Sequence, residues 1–210
     1  MKIALIGATG FVGKAVLAEL LARGHAVTAI TSRPERVPPA TGLTAVRGDA
    51  YEAASIAQVV AGHDAVVSTF NPGWDKADIR ALFVRGHQGI VAGIKAAGVQ
   101  RFLEVGGAGS LYVAPGLQLI DTPDFPAAYR EGAEGARQAL NLLREERQLD
   151  WVFLSPPAML APGPRTGRYQ VGGDQLLMAG AAPAGISDQD LAAAIVDELE
   201  QLRHHRPRFT

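Results

Sequence analysis

The 210-residue sequence contains no cysteine, which excludes disulfide frameworks, thiolate catalysis and cysteine-type zinc sites together. Neither sign of charge is in excess, with 20 Lys and Arg against 21 Asp and Glu and a formal net charge of -1. Without a global basic field there is nothing to hold a nucleic-acid backbone or an anionic membrane, and neither is expected as a partner. No uninterrupted apolar run approaches the ~20 residues of a membrane span. The apolar opening "MKIALIG" is broken by glycine too early for a signal-peptide core, so a strand explains it better and a soluble, cytoplasmic protein is expected. The histidines (His25, His63, His87, His204, His205) are scattered, and no HExxH or carboxylate cluster joins them, so no metal is expected. Lysine occurs only at positions 2, 14, 76 and 95, and not beyond.

Short apolar runs alternate with longer helical patterns, the signature of βαβ units and a parallel sheet. Strands are expected at Lys2 to Ile6, His25 to Thr31, Leu43 to Asp49, Asp64 to Phe70, Arg101 to Gly107 and Trp151 to Ser155. Between them the helical period places Val12, Val16, Leu20 and Leu21 on one stripe, a short helix ending at Gly62, a helix over Asp78 to Ala97, and another from about Ala127 to Arg147. A last helix is expected over Ile186 to Leu202, with Ser187 as its N-cap and His204-His205 at its positive-seeking end. The Pro-rich stretch from Arg33 to Pro39 excludes regular structure. Residues 107–126 and 156–183 are long loops rich in Gly and Pro, long enough to carry function. The length suits one α/β domain, a doubly wound parallel sheet with a small C-terminal elaboration.

The Gly7, Gly10, Gly13 triplet in "IGATGFVG" stands between the first strand and an amphipathic helix. That context turns a glycine pattern into a dinucleotide cradle. Gly7 makes the tight exit from the strand, Gly10 lets pyrophosphate approach the backbone, and Gly13 lets the helix pack on the sheet. Ala8 fills the loop, and the N–H groups of Thr9, Phe11 and Val12 meet the phosphates at the positive end of the helix.

The same motif resembles the fingerprint of the extended and atypical short-chain dehydrogenase/reductases. Within that superfamily the chain is most similar to the NADH-flavin reductases related to biliverdin-IXβ/flavin reductase, and more distantly to NmrA-like proteins. The likeness runs through "IGATGFVG", "TSRP", "RGDAYE", "DAVVST", "RFLEVGGAGSLYVAPG" and "GISDQDLA". It implies a Rossmann sheet of order 3-2-1-4-5-6.

An acidic residue about 20 positions beyond the glycines binds the ribose of NAD, whereas arginine there suits the 2'-phosphate of NADP. This chain offers Ser32 and Arg33 and no acid, so NADP(H) is favoured over NAD(H). Asp49, beside Ala50, is placed either to accept from the adenine amino group, as in related folds, or to cap the next helix. Thr69, Phe70 and Asn71, with Gly106 and Gly107 and then Pro156, fall at the carboxyl edge of the sheet where ligand lies.

Short-chain dehydrogenases use Tyr-x-x-x-Lys, in which lysine lowers the tyrosine pKa and tyrosine delivers a proton. Here Tyr129 is followed by Ala133 in "YREGA", so the pair is missing. Alcohol oxidation and sugar epimerisation need a base on a hydroxyl, whereas a flavin or quinone can complete its reduction with solvent protons. The expectation is therefore an NADPH-dependent reductase of a small planar acceptor, FMN or FAD among them, with Ser110 and Tyr129 as the candidate polar groups beside it. Trp74 is a candidate to cap the pocket. A non-catalytic NADP sensor of NmrA type and an epimerase or dehydratase are the alternatives, and the amphipathic helices leave a homo-oligomer open.

Overall fold

The computed structural model describes Met1 to Thr210. In strand β1 (Lys2–Ile6), Ile3 and Leu5 pack to one side of the sheet and Ala4 and Ile6 to the other, and all four are buried. A strand with no solvent face requires helices on both sides. The remaining strands are β2 (Ala26–Thr31), β3 (Leu43–Arg47), β4 (Ala65–Ser68), β5 (Arg101–Val105), β6 (Asp150–Leu154) and β7 (Arg208–Phe209). They form one seven-stranded sheet of order 7-6-5-4-1-2-3, parallel at every pairing.

Helices α1 (Phe11–Ala22) and α5 (Asp188–Gln201) cover the Ile3 face, where Val16, Leu20, Leu191 and Ile195 meet Val67, Leu103 and Val152. Helices α2 (Ala53–Val60), α3 (Ile79–Ala96) and α4 (Ala127–Glu145) cover the other, where Ile56, Ile90, Ile94 and Leu140 meet Val66, Phe102 and Phe153. Each such side chain contributes about 1.5–3 kcal/mol on burial. No helix is long and apolar enough to cross a membrane.

Four local expectations need correction. Pro34–Arg36 forms a 3-10 turn inside the stretch read as irregular, with proline at its start, where a missing N–H costs nothing. The loop 107–126 contains a small hairpin, Tyr112–Ala114 against Leu117–Gln118, and Met159–Ala161 pairs in parallel with Gly185–Ser187. Ser187 does cap α5, its Oγ accepting from Asp190 N at 3.0 Å, but the helix stops at Gln201 and Leu202 turns left-handed. His204 therefore lies off the helix, with Nδ1 2.7 Å from the Glu198 carboxylate and its ring stacked on Phe209. Finally β7, only two residues long, adds a strand beyond the expected six. What matters for the site is that a wholly parallel sheet delivers every strand's carboxyl end to one edge.

Candidate functional site

The strand order reverses between β1 and β4, and the crevice of a doubly wound sheet opens there. Thr69, just past β4, bridges the two strands: its N–H donates to Ile6 O at 2.9 Å, and its hydroxyl lies 3.0 Å from Ile6 O and 3.2 Å from Gly7 O. This fixes the turn between β1 and α1. Gly7 has φ +84°, and a Cβ there would lie 2.8 Å from Thr69 O. A Cβ on Gly13 would fall 2.1 Å from Gly7 O, so only glycine lets α1 start this close to the strand. Around Gly10 an added Cβ meets only Gly7 O at 3.3 Å, leaving the loop's outer surface open. The first-turn N–H groups of α1 have no intrahelical partner, and no side chain caps them. Uncapped donors at the positive end of a helix form an anion site.

A cleft of about 1140 Å³ runs along this edge. Sites for a single drug-sized ligand occupy ~300–1,000 Å³, so it has room for an elongated ligand and a small second molecule. Its lining takes Gly7, Thr9, Gly10, Phe11 and Val12 from the glycine turn, Ser32 and Arg33 after β2, and Asp49 and Ala50 after β3. Thr69, Phe70 and Asn71 after β4, Gly106 after β5 and Pro156 after β6 complete the expected set. Ala8 and Gly13 are buried behind the turn, and Gly107 does not line the cleft.

Asp49 caps no helix. The α2 N-cap is Glu52, and Asp49 Oδ1 instead accepts from Tyr51 N at 2.9 Å in a tight turn. Ser110 is not brought to the cleft either: it is buried beneath the loop after β5, its hydroxyl 3.4 Å from Nη1 of the buried Arg208. The short turn Ala108–Ser110 points it back toward β7, a strand the sequence pattern did not reveal. Tyr129 is exposed and outside the cleft lining; its ring meets Trp74 edge-on, with centroids 5.3 Å apart.

Several lining residues escaped sequence reasoning. Arg47 pairs in register with Thr31, so the ends of β2 and β3 abut and Arg47 joins Arg33 and Arg36 at one end of the cleft. None of these three arginines has a carboxylate within ion-pair distance, whereas most of the chain's other arginines do. The only cue was three arginines near strand ends. Tyr51 also lines the cleft, its ring edge-on to Phe70 at 5.8 Å with the Arg85 guanidinium 5.0 Å above it. Burial pushes the Tyr51 hydroxyl up, with the Asp49 charge adding to the effect, so it stays protonated. At the opposite end Val105, Gly106, Pro156 and Leu160 offer no titratable side chain.

The sequence profile of the NAD(P)H-binding family matches residues 7–202. The chain is 38% identical over 215 residues to the uncharacterized protein YwnB of Bacillus subtilis, covering 100% of this chain and 97% of that one. A Bacteroides thetaiotaomicron structure described as a "putative epimerase" superposes with TM-score 0.92 at 44% identity, over 100% of this chain and 95% of the other. A Streptococcus pneumoniae structure described as a "putative NADH-flavin reductase" gives 0.86 at 34% identity, over 100% and 97%.

Proposed function

Because the chain belongs to the NAD(P)H-binding family, we propose that it is an oxidoreductase that takes hydride from NADPH and reduces a planar flavin-like or quinone-like acceptor. The observation that carries the reaction class is the lining beside β5 and β6, where Val105, Gly106, Pro156 and Leu160 supply no acid or base; the ionisable Asp75 and Lys76 of the same cleft come from the loop after β4. A reaction run there has to draw its proton from solvent, which a reduced flavin or quinone does and an epimerised sugar does not.

The cradle fits the cofactor. The open surface at Gly10 and the uncapped N–H groups of α1 receive a pyrophosphate, and Thr69 holds that turn rigid. Arg33, Arg36 and Arg47, unpaired and exposed, receive a 2'-phosphate, which favours NADPH over NADH. Asp49 keeps one carboxylate oxygen free of protein partners for the adenine amino group. When bound, NADPH supplies a hydride, and with one solvent proton a flavin becomes a dihydroflavin while NADP+ is left. The likeness to the Streptococcus pneumoniae protein supports the flavin-reductase reading, and the lining beside β5 and β6, not the degree of likeness, sets it above the epimerase reading.

The test mixes the protein with NADPH and, separately, FMN, riboflavin and a quinone, and follows loss of the dihydronicotinamide absorbance. Turnover with at least one acceptor is expected. Tight NADPH binding with no turnover across the panel would make this an NADP sensor instead.

A further inference from the structure

We infer that Trp74 and Lys76 recognise the acceptor, Trp74 as the platform on which its ring stacks and Lys76 as the partner of a negative group it carries; this rests on the reductase reading above. Trp74 lines the cleft and is 57% exposed, against 3% for the chain's other tryptophan, Trp151. Leaving more than half of an indole in water is costly unless something covers it in use.

The ring is nevertheless held in place. It lies over Gly132 of α4, where a Cβ would sit 2.5 Å from Trp74 Cζ3 and 3.0 Å from Cη2. One helical turn earlier Tyr129 meets it edge-on at an interplanar angle of 81°. The loop carrying it is pinned at both sides, by Gly73 N donating to Asn71 Oδ1 at 2.8 Å and Lys76 N donating to Gly73 O at 3.3 Å. A fixed aromatic with free surface toward a cleft is pre-organised for a flat ligand, because the ligand does not have to order it.

Lys76, two residues on, lines the same cleft. Its sole carboxylate neighbour is Asp75 at 3.6 Å, itself 79% exposed, a pair that binds weakly in water. The ammonium is thus available to an anion, and it belongs to the loop that carries Trp74 rather than to the arginine cluster. The acceptor class this selects is a conjugated planar ring bearing an anionic substituent, so FMN is preferred to riboflavin. Tyr129, the residue that the short-chain dehydrogenase pattern makes a proton donor, acts here through Trp74 as a positioning residue.

The experiment is equilibrium dialysis of FMN and riboflavin against the full-length protein saturated with NADP+. Trp74→Ala is expected to weaken FMN binding about tenfold, with Trp74→Phe retaining most of it. Lys76→Gln is expected to weaken FMN about threefold at low salt and leave riboflavin unchanged. Gly132→Ala, which favours the helix but displaces the indole, is expected to weaken both flavins without loss of folding or NADP+ binding. FMN bound equally by wild type and Trp74→Ala overturns the platform and leaves the reductase reading standing. Riboflavin and FMN losing equally on Lys76→Gln overturns the charge role. A wild-type protein that binds NADP+ but no flavin overturns this inference, and the reductase reading falls with it only if the quinone is not turned over either.

Discussion

Replacing Arg33 by alanine separates the two nicotinamide cofactors. Arg33 follows β2 by two residues and shares one end of the cleft with Arg36 and Arg47, and no carboxylate neutralises any of them. NADPH differs from NADH by the 2'-phosphate that this cluster would meet. A hydrogen bond to a charged group is worth ~1.5–3 kcal/mol, and because Arg33 is exposed the lower part of that range, or slightly less, applies. Taking about 1–1.5 kcal/mol, the Kd for NADPH rises by about 5- to 12-fold while that for NADH hardly moves. Arg47→Ala acts in the same direction, and the double variant loses less than the sum if the guanidinium groups share one phosphate. Removing an unpaired surface cation changes folding stability by under ~0.5 kcal/mol, so the effect is not a fold effect. Titrating both cofactors at low and high salt reads the difference directly. Equal losses for NADPH and NADH would refute the assignment of the arginines.

Other substitutions probe the remaining parts of the site. Gly13→Ala puts a Cβ 2.1 Å from Gly7 O, which must push α1 off β1; a loss of about 1–3 kcal/mol by denaturant midpoint, with weakened NADPH binding, is expected. Ser110→Ala removes a hydroxyl that faces Arg208 rather than the cleft, so acceptor turnover should stay within about twofold and stability within about 1 kcal/mol. A larger drop in turnover would return Ser110 to the reaction. Away from the site, burial alone pushes His87 down, but the Glu104 carboxylate 2.8 Å from its Nδ1 outweighs this and holds the imidazole above its usual 6.5. Because the folded value is the raised one, the pair's stabilisation is complete below about pH 6.5 and is lost as pH rises through the folded value. Glu104→Gln should flatten that slope in thermal melts taken from about pH 6.5 upward; an unchanged slope would place the pH dependence elsewhere.

Much of the scaffold was legible because it is written locally. "KIALI" is apolar on both faces, the Gly7 to Gly13 turn needs close approach, and Gly24 stands just past α1. The strand ends then follow from parallel topology, which is why Thr69, Asp49 and Gly106 reach one cleft. What the pattern hid depends on contacts between distant segments. β7 is two residues whose pairing with β6 carries no periodicity, and Ser110 was misplaced because Arg208 on that strand draws it inward. Arg47 acquires meaning only through its register with Thr31. Trp74 was visible as a loop aromatic, but the glycine in α4 that seats it, Gly132, has no mark in sequence that separates it from the other helical glycines.

On this reading the cleft holds NADPH and hands its hydride to a planar acceptor without the Tyr-Lys pair of short-chain dehydrogenases. Steady-state oxidation of NADPH and of NADH by the wild-type protein with FMN tests it most directly. The account predicts turnover with both, and a kcat/KM for NADPH larger by about tenfold, the equivalent of ~1.4 kcal/mol. Oxidation of neither cofactor while NADPH binds tightly would contradict it, as would a preference for NADH.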